Sequence, residues 1–297
     1  MNTVKWLKEN TASLVGKTVA ITGSTGGLGQ EICRYILKLG GSLVLIDRNP
    51  EKSLRFEKKL KQEFNNADIY CIIANLEDIN SVKAACNKIK KISIDIFIHN
   101  AGAYSIPRKI SNTGLDNVFT INFAAPYYMT KQLLPCLKAR KGRVVVVGSI
   151  AHNYGKTDPD DIDFKSRKKP SLVYGNSKRY LMFSMFELLK SYPEIKLSVV
   201  HPGITFTNIT SHYPKWLFAI IKNPMKVIFM PPRIAALSII KGIFTDTEYF
   251  TWIGPQFFNV WGKPRKKKLK TCAIDESRQI FENAEKIYEI LIDKHYP

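Results

Sequence analysis

The sequence is poor in features that would place it in several common protein classes. Its cysteines are odd in number and include no Cys-x-x-Cys pair; they are Cys33, Cys71, Cys86, Cys136 and Cys272. This pattern argues against a disulfide framework and predicts reduced thiols in an intracellular setting. None of the five histidines has the spacing of metal ligands. We therefore expect no metal site.

Long apolar runs are also lacking. Nowhere do 18 consecutive apolar residues occur, so no transmembrane helix is expected. The first segment, Met1–Gly16, has no apolar stretch typical of a signal peptide. We expect a cytoplasmic protein, and peripheral contact with a membrane surface stays open.

Acidic residues are scarce relative to basic ones, with 25 Asp and Glu against 45 Lys and Arg and a net charge of +20. The basic residues concentrate in four clusters, Lys58–Lys61, Lys88–Lys91, Lys165–Lys169 and Lys263–Lys270. Three interpretations compete: a solvated basic surface, attraction to anionic lipid headgroups, and nucleic-acid binding. The clusters are dispersed and no nucleic-acid-binding motif surrounds them. We therefore favour the solvated surface, then lipid, and expect no nucleic-acid partner.

An apolar fraction of 45% over 297 residues is enough for a large core. Short β-branched runs alternate with amphipathic helical patterns over most of the chain, with no hairpin between the early strands. Such alternation predicts an α/β fold with a parallel sheet of about seven strands, and ligands at the carboxyl ends of the strands. The expected strands are 18–22, 42–47, 68–74, 94–99, 142–149, 196–200 and, as the last, 249–253.

One glycine-rich stretch organises this pattern. The strand Thr18–Thr22 is followed by glycines at 23, 27 and 29, and then by a helical pattern over Gln30–Lys38. Glycines permit tight turns and close approach of a ligand, and the free N–H groups of a helix N-terminus attract phosphate. An ordinary strand-to-helix turn is the alternative, since an isolated glycine motif is weak evidence.

The second expected strand ends in Asp47, 18 residues after Gly29. A carboxylate at that distance suits the adenosine ribose of a dinucleotide and favours NAD. Arg48 follows directly and suits a 2′-phosphate, which keeps NADP open. Asp47 could instead start a turn or cap the next helix.

Four further residues have side chains suited to proton transfer. Asn122 interrupts an apolar helical run over 115–137, and Ser149 ends a buried strand. Tyr174 and Lys178 lie one turn apart on a helix expected to open at Tyr174 and to run to Lys190. Taken alone, Asn122 could be a structural residue whose buried amide bonds to nearby backbone. A Tyr-x-x-x-Lys pair taken alone is also usually structural.

Together these motifs resemble the short-chain dehydrogenase/reductase family over roughly 17–207, with the Rossmann-type doubly wound sheet of that family. The Thr-Gly-x-x-x-Gly-x-Gly turn, Asn100-Ala-Gly102, Pro202-Gly203 and the ordered set Asn122, Ser149, Tyr174 and Lys178 carry the resemblance. The 25-residue gap between Ser149 and Tyr174 resembles the branch containing retinol dehydrogenases and protochlorophyllide reductases. Two positions depart from the family pattern, since Asn75 stands in place of Asp and His99 in place of Asn.

The resemblance implies hydride transfer between NAD or NADP and an alcohol or carbonyl group. Tyr174 would be the acid/base, Ser149 would bind the reacting oxygen, Lys178 would lower the pKa of the phenol, and Asn122 would hold a water near Lys178. The implied cofactor-binding residues are Gly23, Ser24, Thr25, Gly27, Leu28, Gly29, Asp47, Arg48, Asn75, Leu76, Asn100, Ala101, Gly102, Tyr174, Lys178, Pro202, Gly203, Thr205 and Thr207.

The remaining segments are expected to surround this core as parts of a single domain, residues 1–297. Residues 1–16 form an N-terminal extension, and residues 208–232, apolar, aromatic and basic with Trp216 and Phe218, form a lid over a lipophilic substrate such as a steroid or retinoid. Residues 262–297 form a basic linker and a surface helix over 275–291. A homodimer or homotetramer is open, and the competing function is that of a non-catalytic dinucleotide sensor or scaffold.

Overall fold

The computed structural model describes residues 2–205 and 229–293. Its strands are β1 (Thr18–Thr22), β2 (Ser42–Asp47), β3 (Ile69–Ile73), β4 (Ile96–His99), β5 (Arg143–Val147), β6 (Lys196–Val200), β7 (Thr251–Phe257) and β8 (Trp261–Lys268). Its α-helices are α1 (Thr3–Asn10), α2 (Gly27–Lys38), α3 (Pro50–Glu63), α4 (Ile79–Ile89), α5 (Asn117–Phe119), α6 (Ala125–Ala139), α7 (Pro170–Lys190), α8 (Pro232–Phe244) and α9 (Ile274–Asp293).

The strands described form one eight-stranded sheet in the order β3-β2-β1-β4-β5-β6-β7-β8. All neighbouring pairs from β3 to β7 are parallel. The strand order reverses between β1 and β4, which is where a doubly wound sheet opens a crevice at its carboxyl edge. The expected α/β doubly wound fold is confirmed.

Both faces of the sheet are covered, which explains why its strands are apolar without alternation. Alternate residues of β1 belong to two separate cores: Ala20 lies with α4, α6 and α7, and Val19 and Ile21 lie with α2 and α8. The central strands are therefore held from both sides, and the carboxyl edge has a rigid base.

The helical run that contains Asn122 has an irregular turn. Asp116 caps its start, where one carboxylate oxygen accepts from the N–H groups of Val118 (2.9 Å) and Phe119 (3.2 Å). A π-helical segment, Thr120–Ala124, then joins α5 to α6. Such bulges occur frequently at functional sites. The helical run expected over 115–137 is present over 117–139, with this irregular turn at Asn122.

The C-terminal part of the sheet differs from the prediction. The strand expected over 249–253 lies at β7 and is not the last one. The basic segment expected as a linker forms β8, which pairs antiparallel with β7 from Thr251↔Lys268 to Phe257↔Trp261. An exposed edge strand alternates between solvent and protein, so its lysines hide the strand pattern.

Two smaller differences concern helix bounds. The helix expected to open at Tyr174 begins at Pro170, because proline is favoured in the first turn of a helix. The N-terminal extension contains the short helix α1, whose Trp6 and Leu7 are buried. Most of the predicted lid, with Trp216 and Phe218, lies outside the described residues. No helix in the described ranges combines the length and apolar character needed to cross a bilayer.

Candidate active site

The glycine turn connects β1 to α2 at the carboxyl edge of the sheet. Gly23 has a φ of +69°, which favours glycine, and a Cβ there would lie 3.0 Å from the Cα of Ala101. A Cβ on Gly29 would lie 2.3 Å from the carbonyl oxygen of Gly23. Helix α2 has Gly26 as its N-cap with no side-chain cap, so its first-turn N–H groups face the turn without side-chain acceptors.

Asp47, at the end of β2, is buried and bonded to the glycine turn. Its carboxylate accepts from the backbone N–H and hydroxyl of Thr25, both at 3.1 Å, and from the hydroxyls of Ser24 and Ser53. These four donors use its oxygens within the protein. The carboxylate therefore fixes the glycine turn, and the N-cap of the next helix, α3, is Asn49 and not Asp47.

A second set of hydrogen bonds joins β1 to the end of β4. The Thr22 hydroxyl accepts from the backbone N–H groups of Asn100 and Ala101, each at 3.1 Å. The Asn100 side chain donates to the carbonyl oxygens of Thr22 and Gly23, each at 3.0 Å. Its own oxygen is buried and has no hydrogen-bond partner among residues 2–205 and 229–293, so an acceptor is left available at this crevice.

The side chains of Asn122 and Lys178 both lie beside Gly102. The Asn122 amide accepts from the Ala103 N–H (2.7 Å) and donates to the Ala103 carbonyl (2.9 Å) and the Ser177 hydroxyl (3.0 Å). A Cβ on Gly102 would lie 3.3 Å from Asn122 Oδ1 and 3.5 Å from Lys178 Nζ. The structural alternative, an amide bonded to neighbouring backbone, and proximity to Lys178 therefore both hold for Asn122.

Ser149 and Tyr174 lie together at the end of β5. Burial raises the pKa of the Tyr174 phenol to about 12, and its hydrogen bond with the Ser149 hydroxyl lowers that pKa in part. The Ser149 hydroxyl also accepts from the Ala151 N–H at 3.2 Å, which starts the 3-10 turn Ile150–Asn153. The expected closeness of the two hydroxyl groups is present.

Lys178 is buried one helical turn after Tyr174. Its Nζ lies 5.9 Å from the centre of the Tyr174 ring and donates to the Val147 carbonyl at 2.9 Å. Burial lowers the pKa of its ammonium to about 8. The pKa of the phenol is raised by burial in the protein without cofactor, and its lowering by Lys178 and a bound nicotinamide stays a prediction.

The other predicted cofactor positions flank this edge. Leu28 is buried in the first turn of α2, and Arg48 is exposed directly after β2. The Asn75 side-chain oxygen accepts from the Glu77 N–H at 3.3 Å, and Leu76 is buried. Pro202, Gly203 and Thr205 follow β6, and Thr205 forms a β-bridge with Met230. Thr207 lies outside the described residues.

Two residues next to the site are absent from the sequence prediction. Tyr104 makes an edge-to-face contact with Tyr174, with ring centres 5.1 Å apart. Thr22 bonds the glycine turn to Asn100. Both could have been found from the sequence, since each lies at or just beyond the carboxyl end of a central strand, where ligands bind in such folds.

These features fit a dinucleotide. The N-terminus of α2 has no capping side chain, so its N–H groups suit the pyrophosphate. Gly102 has no side chain beside Lys178, and the Asn100 side-chain oxygen has no hydrogen-bond partner among the described residues. The fit rests on residues from β1, β4, β5 and α7 that the fold brings to one edge.

Comparison with known proteins agrees with this site. A family model described as short chain dehydrogenase matches residues 17–217. Human polyprenol dehydrogenase is 25% identical over 66% of this chain and 63% of its own length, and mouse retinol dehydrogenase 14 is 28% identical over 93% and 87%. The chain spans slightly less than two thirds of the length of several curated relatives that it matches.

Solved structures share the fold. An uncharacterized protein from Mycobacterium paratuberculosis superposes with a TM-score of 0.77, at 21% identity, over 95% of this chain and 96% of that one. The family model covers well over half of the chain, including the glycine turn and all four residues of the Asn122–Lys178 set. The chain belongs to the short-chain dehydrogenase family.

Proposed function

We propose that the protein is an NADP(H)-dependent oxidoreductase that interconverts an alcohol and a carbonyl group on a lipophilic substrate. The observation that carries the proposal is the arrangement of three side chains. The Ser149 hydroxyl lies near the Tyr174 phenol, and the buried Lys178 follows one helical turn later, with its Nζ 5.9 Å from the centre of the Tyr174 ring. When bound, the nicotinamide supplies or accepts the hydride. The residues of this chain handle the proton and the charge on oxygen.

Tyr174 is the proton donor in the reducing direction. A phenol with a pKa of about 12 is protonated near neutral pH, so it is ready to give a proton to a carbonyl oxygen. The Ser149 hydroxyl donates to the same oxygen and stabilises the charge that develops there. In the oxidising direction the phenol must first lose its proton, which requires positive charge nearby.

Lys178 is the source of that charge and the route for the proton. Its ammonium has one acceptor in the described structure, the Val147 carbonyl, and so has further N–H groups to donate. A pKa of about 8 means that it can exchange a proton near neutral pH. Asn122 fixes the loop after β4 through Ala103 and thereby holds Gly102 beside the ammonium.

The cofactor preference follows from the charges around the turn. The sequence favours NAD through Asp47, but the Asp47 carboxylate already accepts four hydrogen bonds from the protein. A cleft lined by Thr25, Lys52, Arg55 and Lys59 opens beside the turn, and Arg48 is exposed near it. Positive charge there suits a 2′-phosphate, so we favour NADP(H).

The lipophilic substrate is inferred from relatives. Polyprenol dehydrogenase and retinol dehydrogenase 14 are named for lipid alcohols, and the second is similar to this chain over nearly its full length. We propose that the substrate of this protein shares that class, a long apolar alcohol or its aldehyde or ketone.

The activity is tested with Tyr174→Phe. NADPH oxidation with a panel of apolar ketones and aldehydes should fall by roughly a hundredfold or more in the variant, while NADPH binding stays within about twofold. Tyr70→Phe, an exposed tyrosine on β3, is the matched control and should keep full activity. If neither wild type nor control oxidises NADPH with any substrate although both bind it, the non-catalytic sensor is the better description.

The cofactor preference is tested by titrating NADPH and NADH separately. Arg48→Ala should weaken NADPH binding by about tenfold and leave NADH binding nearly unchanged, since only the former carries the phosphate. Asp47→Ala should weaken both, because it loosens the glycine turn. Selective loss of NADH binding in Asp47→Ala would instead support the ribose contact and NAD.

A further inference from the structure

The turn between β7 and β8, residues 257–260, presents aromatic side chains to solvent. Phe258 is 93% exposed and Phe257 is 57% exposed. Single exposed apolar residues are common, but two adjacent phenylalanines at the tip of a hairpin are a concentrated apolar surface. They cover no part of the described core.

The backbone holds Phe258 outward at an energetic cost. Phe258 and Asn259 have φ values of +48° and +59°, and the Val260 N–H donates to the Phe257 carbonyl at 2.8 Å. Two central residues with positive φ are typical of a type I′ turn, where glycine and asparagine are favoured. A phenylalanine there gains neither turn propensity nor burial. Its position therefore needs another explanation.

One lysine fixes the tip while others remain available. Lys267 Nζ donates to the carbonyls of Pro255 (2.6 Å) and Gln256 (3.1 Å) and to Asn259 Oδ1 (2.8 Å), so it closes the base of the turn. Lys263 and Arg265 lie on the same side of β8, are exposed, and form no ion pair within residues 2–205 and 229–293.

The tip lies at the same edge of the sheet as the candidate active site. Strand β7 runs parallel to β6, so its end projects beyond the carboxyl edge. A Cβ on Gly203 would lie 2.7 Å from the Val260 carbonyl oxygen and 3.0 Å from Pro255. The turn thus contacts the segment after β6 that carries the predicted cofactor residues Pro202 and Gly203.

We propose that the β7–β8 turn is a membrane-docking element that inserts Phe258 and Phe257 into the interface of an anionic bilayer, with Lys263 and Arg265 against the headgroups. An anionic interface binds exposed aromatic side chains together with basic side chains, and here the basic ones form no ion pair within the described residues. The protein as a whole carries a net charge of +20. Docking this way turns the carboxyl edge of the sheet toward the bilayer. The docking itself does not depend on the proposed reaction.

The apolar contact is tested by flotation of the full chain with vesicles of phosphatidylcholine and phosphatidylserine. Phe258→Ser should weaken partitioning about tenfold. Val15→Ser is the matched control, because Val15 is 75% exposed and precedes β1 at the opposite edge of the sheet; it should bind as wild type. Phe258→Trp keeps an interfacial side chain and should retain binding, which separates loss of insertion from loss of the turn.

The electrostatic contact is tested by moving the same charge change to another cluster. Lys263→Gln with Arg265→Gln should weaken binding about tenfold or more, since each basic residue near the surface contributes several-fold. Lys88→Gln with Lys91→Gln, at the end of α4, removes equal charge and should have a smaller effect. Vesicles of phosphatidylcholine alone should bind all forms weakly.

Three results would overturn the proposal. One is equal binding by wild type and Phe258→Ser. Another is equal loss in the two double variants, which would mean diffuse charge attraction. The third is binding to RNA that exceeds vesicle binding and is lost in Lys263→Gln with Arg265→Gln but not in Phe258→Ser. Because flotation needs no turnover, each result is independent of whether NADPH oxidation is found.

Discussion

The two halves of the carboxyl edge, the β1–β2 side and the β5 side, differ in how well their polar side chains are hydrogen-bonded. On the β1–β2 side, Thr22 and Asp47 bond to other protein groups, and their oxygens accept from backbone and hydroxyl donors. On the β5 side, Lys178 is buried with a single protein acceptor and Tyr174 with a raised pKa. The first half is stabilised by its polar groups. The second half carries polar groups that burial makes costly.

This difference suggests a division of labour. A dinucleotide is bound by shape and backbone groups, so the surface that holds it gains from being rigid. Proton transfer needs groups that change charge, and such groups sit in environments that disfavour one of their charge states. Substitutions in the first half should therefore destabilise the fold. Substitutions of the charged group in the second half should stabilise it while removing activity.

The largest effect is expected for Gly29→Ala. The new Cβ would lie 2.3 Å from the Gly23 carbonyl oxygen and 2.9 Å from the Ser24 Cα, and backbone at those distances must move. We expect a loss of about 3 kcal/mol or more in the free energy of unfolding and loss of cofactor binding, measured by urea denaturation and fluorescence titration.

The matched control for this change is Gly155→Ala. The nearest atom to a Cβ at Gly155 belongs to the Phe164 ring, at 3.9 Å, and its φ is not in the left-handed region. This variant should keep wild-type stability. Similar stability of the two variants would show that the turn tolerates a side chain and is not the rigid half described above.

A change of the opposite sign is expected for Lys178→Met near neutral pH. The folded protein lowers the pKa of the ammonium from 10.5 to about 8, so below about pH 8 a charge is buried at a cost. Removing it should raise the free energy of unfolding by about 2 kcal/mol, after loss of the hydrogen bond to Val147, and should abolish turnover.

The pH dependence gives the sharper measurement. Between about pH 8 and 10.5 the unfolded chain binds more protons at this lysine than the folded protein does, so the wild type gains stability as pH rises. The advantage of Lys178→Met should therefore shrink across that range. Lys156→Met, at an exposed lysine, is the matched control for removing a lysine side chain that is not buried. A constant advantage for Lys178→Met would contradict the lowered pKa.

The regular part of the fold was predictable because its signals are local. The bounds expected for β1, β2 and β6 agree with the structure, since buried parallel strands are short apolar runs. Strand β8 was missed for a physical reason. It lies at the edge, its exposed positions are lysine and arginine, and such charge blocks edge-to-edge aggregation while it resembles a linker in sequence.

The sequence predicted which residues lie at the site better than it predicted their pKa values and hydrogen bonds. The sequence order identified Ser149 and Tyr174, and in the structure the Ser149 hydroxyl lies near enough to the phenol to lower its pKa. The sequence did not predict that burial raises the pKa of the phenol, because burial depends on side chains from distant segments, among them Tyr104. The bonding of Asp47 to the glycine turn was not predicted, since the hydroxyls of Ser24 and Ser53 reach it only once the turn is folded.

The smallest effect is expected for Thr22→Val, which keeps the shape of the side chain and removes its hydroxyl. The N–H groups of Asn100 and Ala101 would lose their acceptor in a partly buried setting, which costs about 1 kcal/mol in the free energy of unfolding. Cofactor binding should weaken with it, since the end of β4 is no longer tied to the glycine turn. Thr18→Val, at the start of the same strand, is the control and should be neutral, because its hydroxyl makes no hydrogen bond within the described residues. If both variants unfold at the same urea concentration, the bond between β1 and β4 contributes little, and the contrast between the two halves of the edge rests on Gly29 and Asp47 alone.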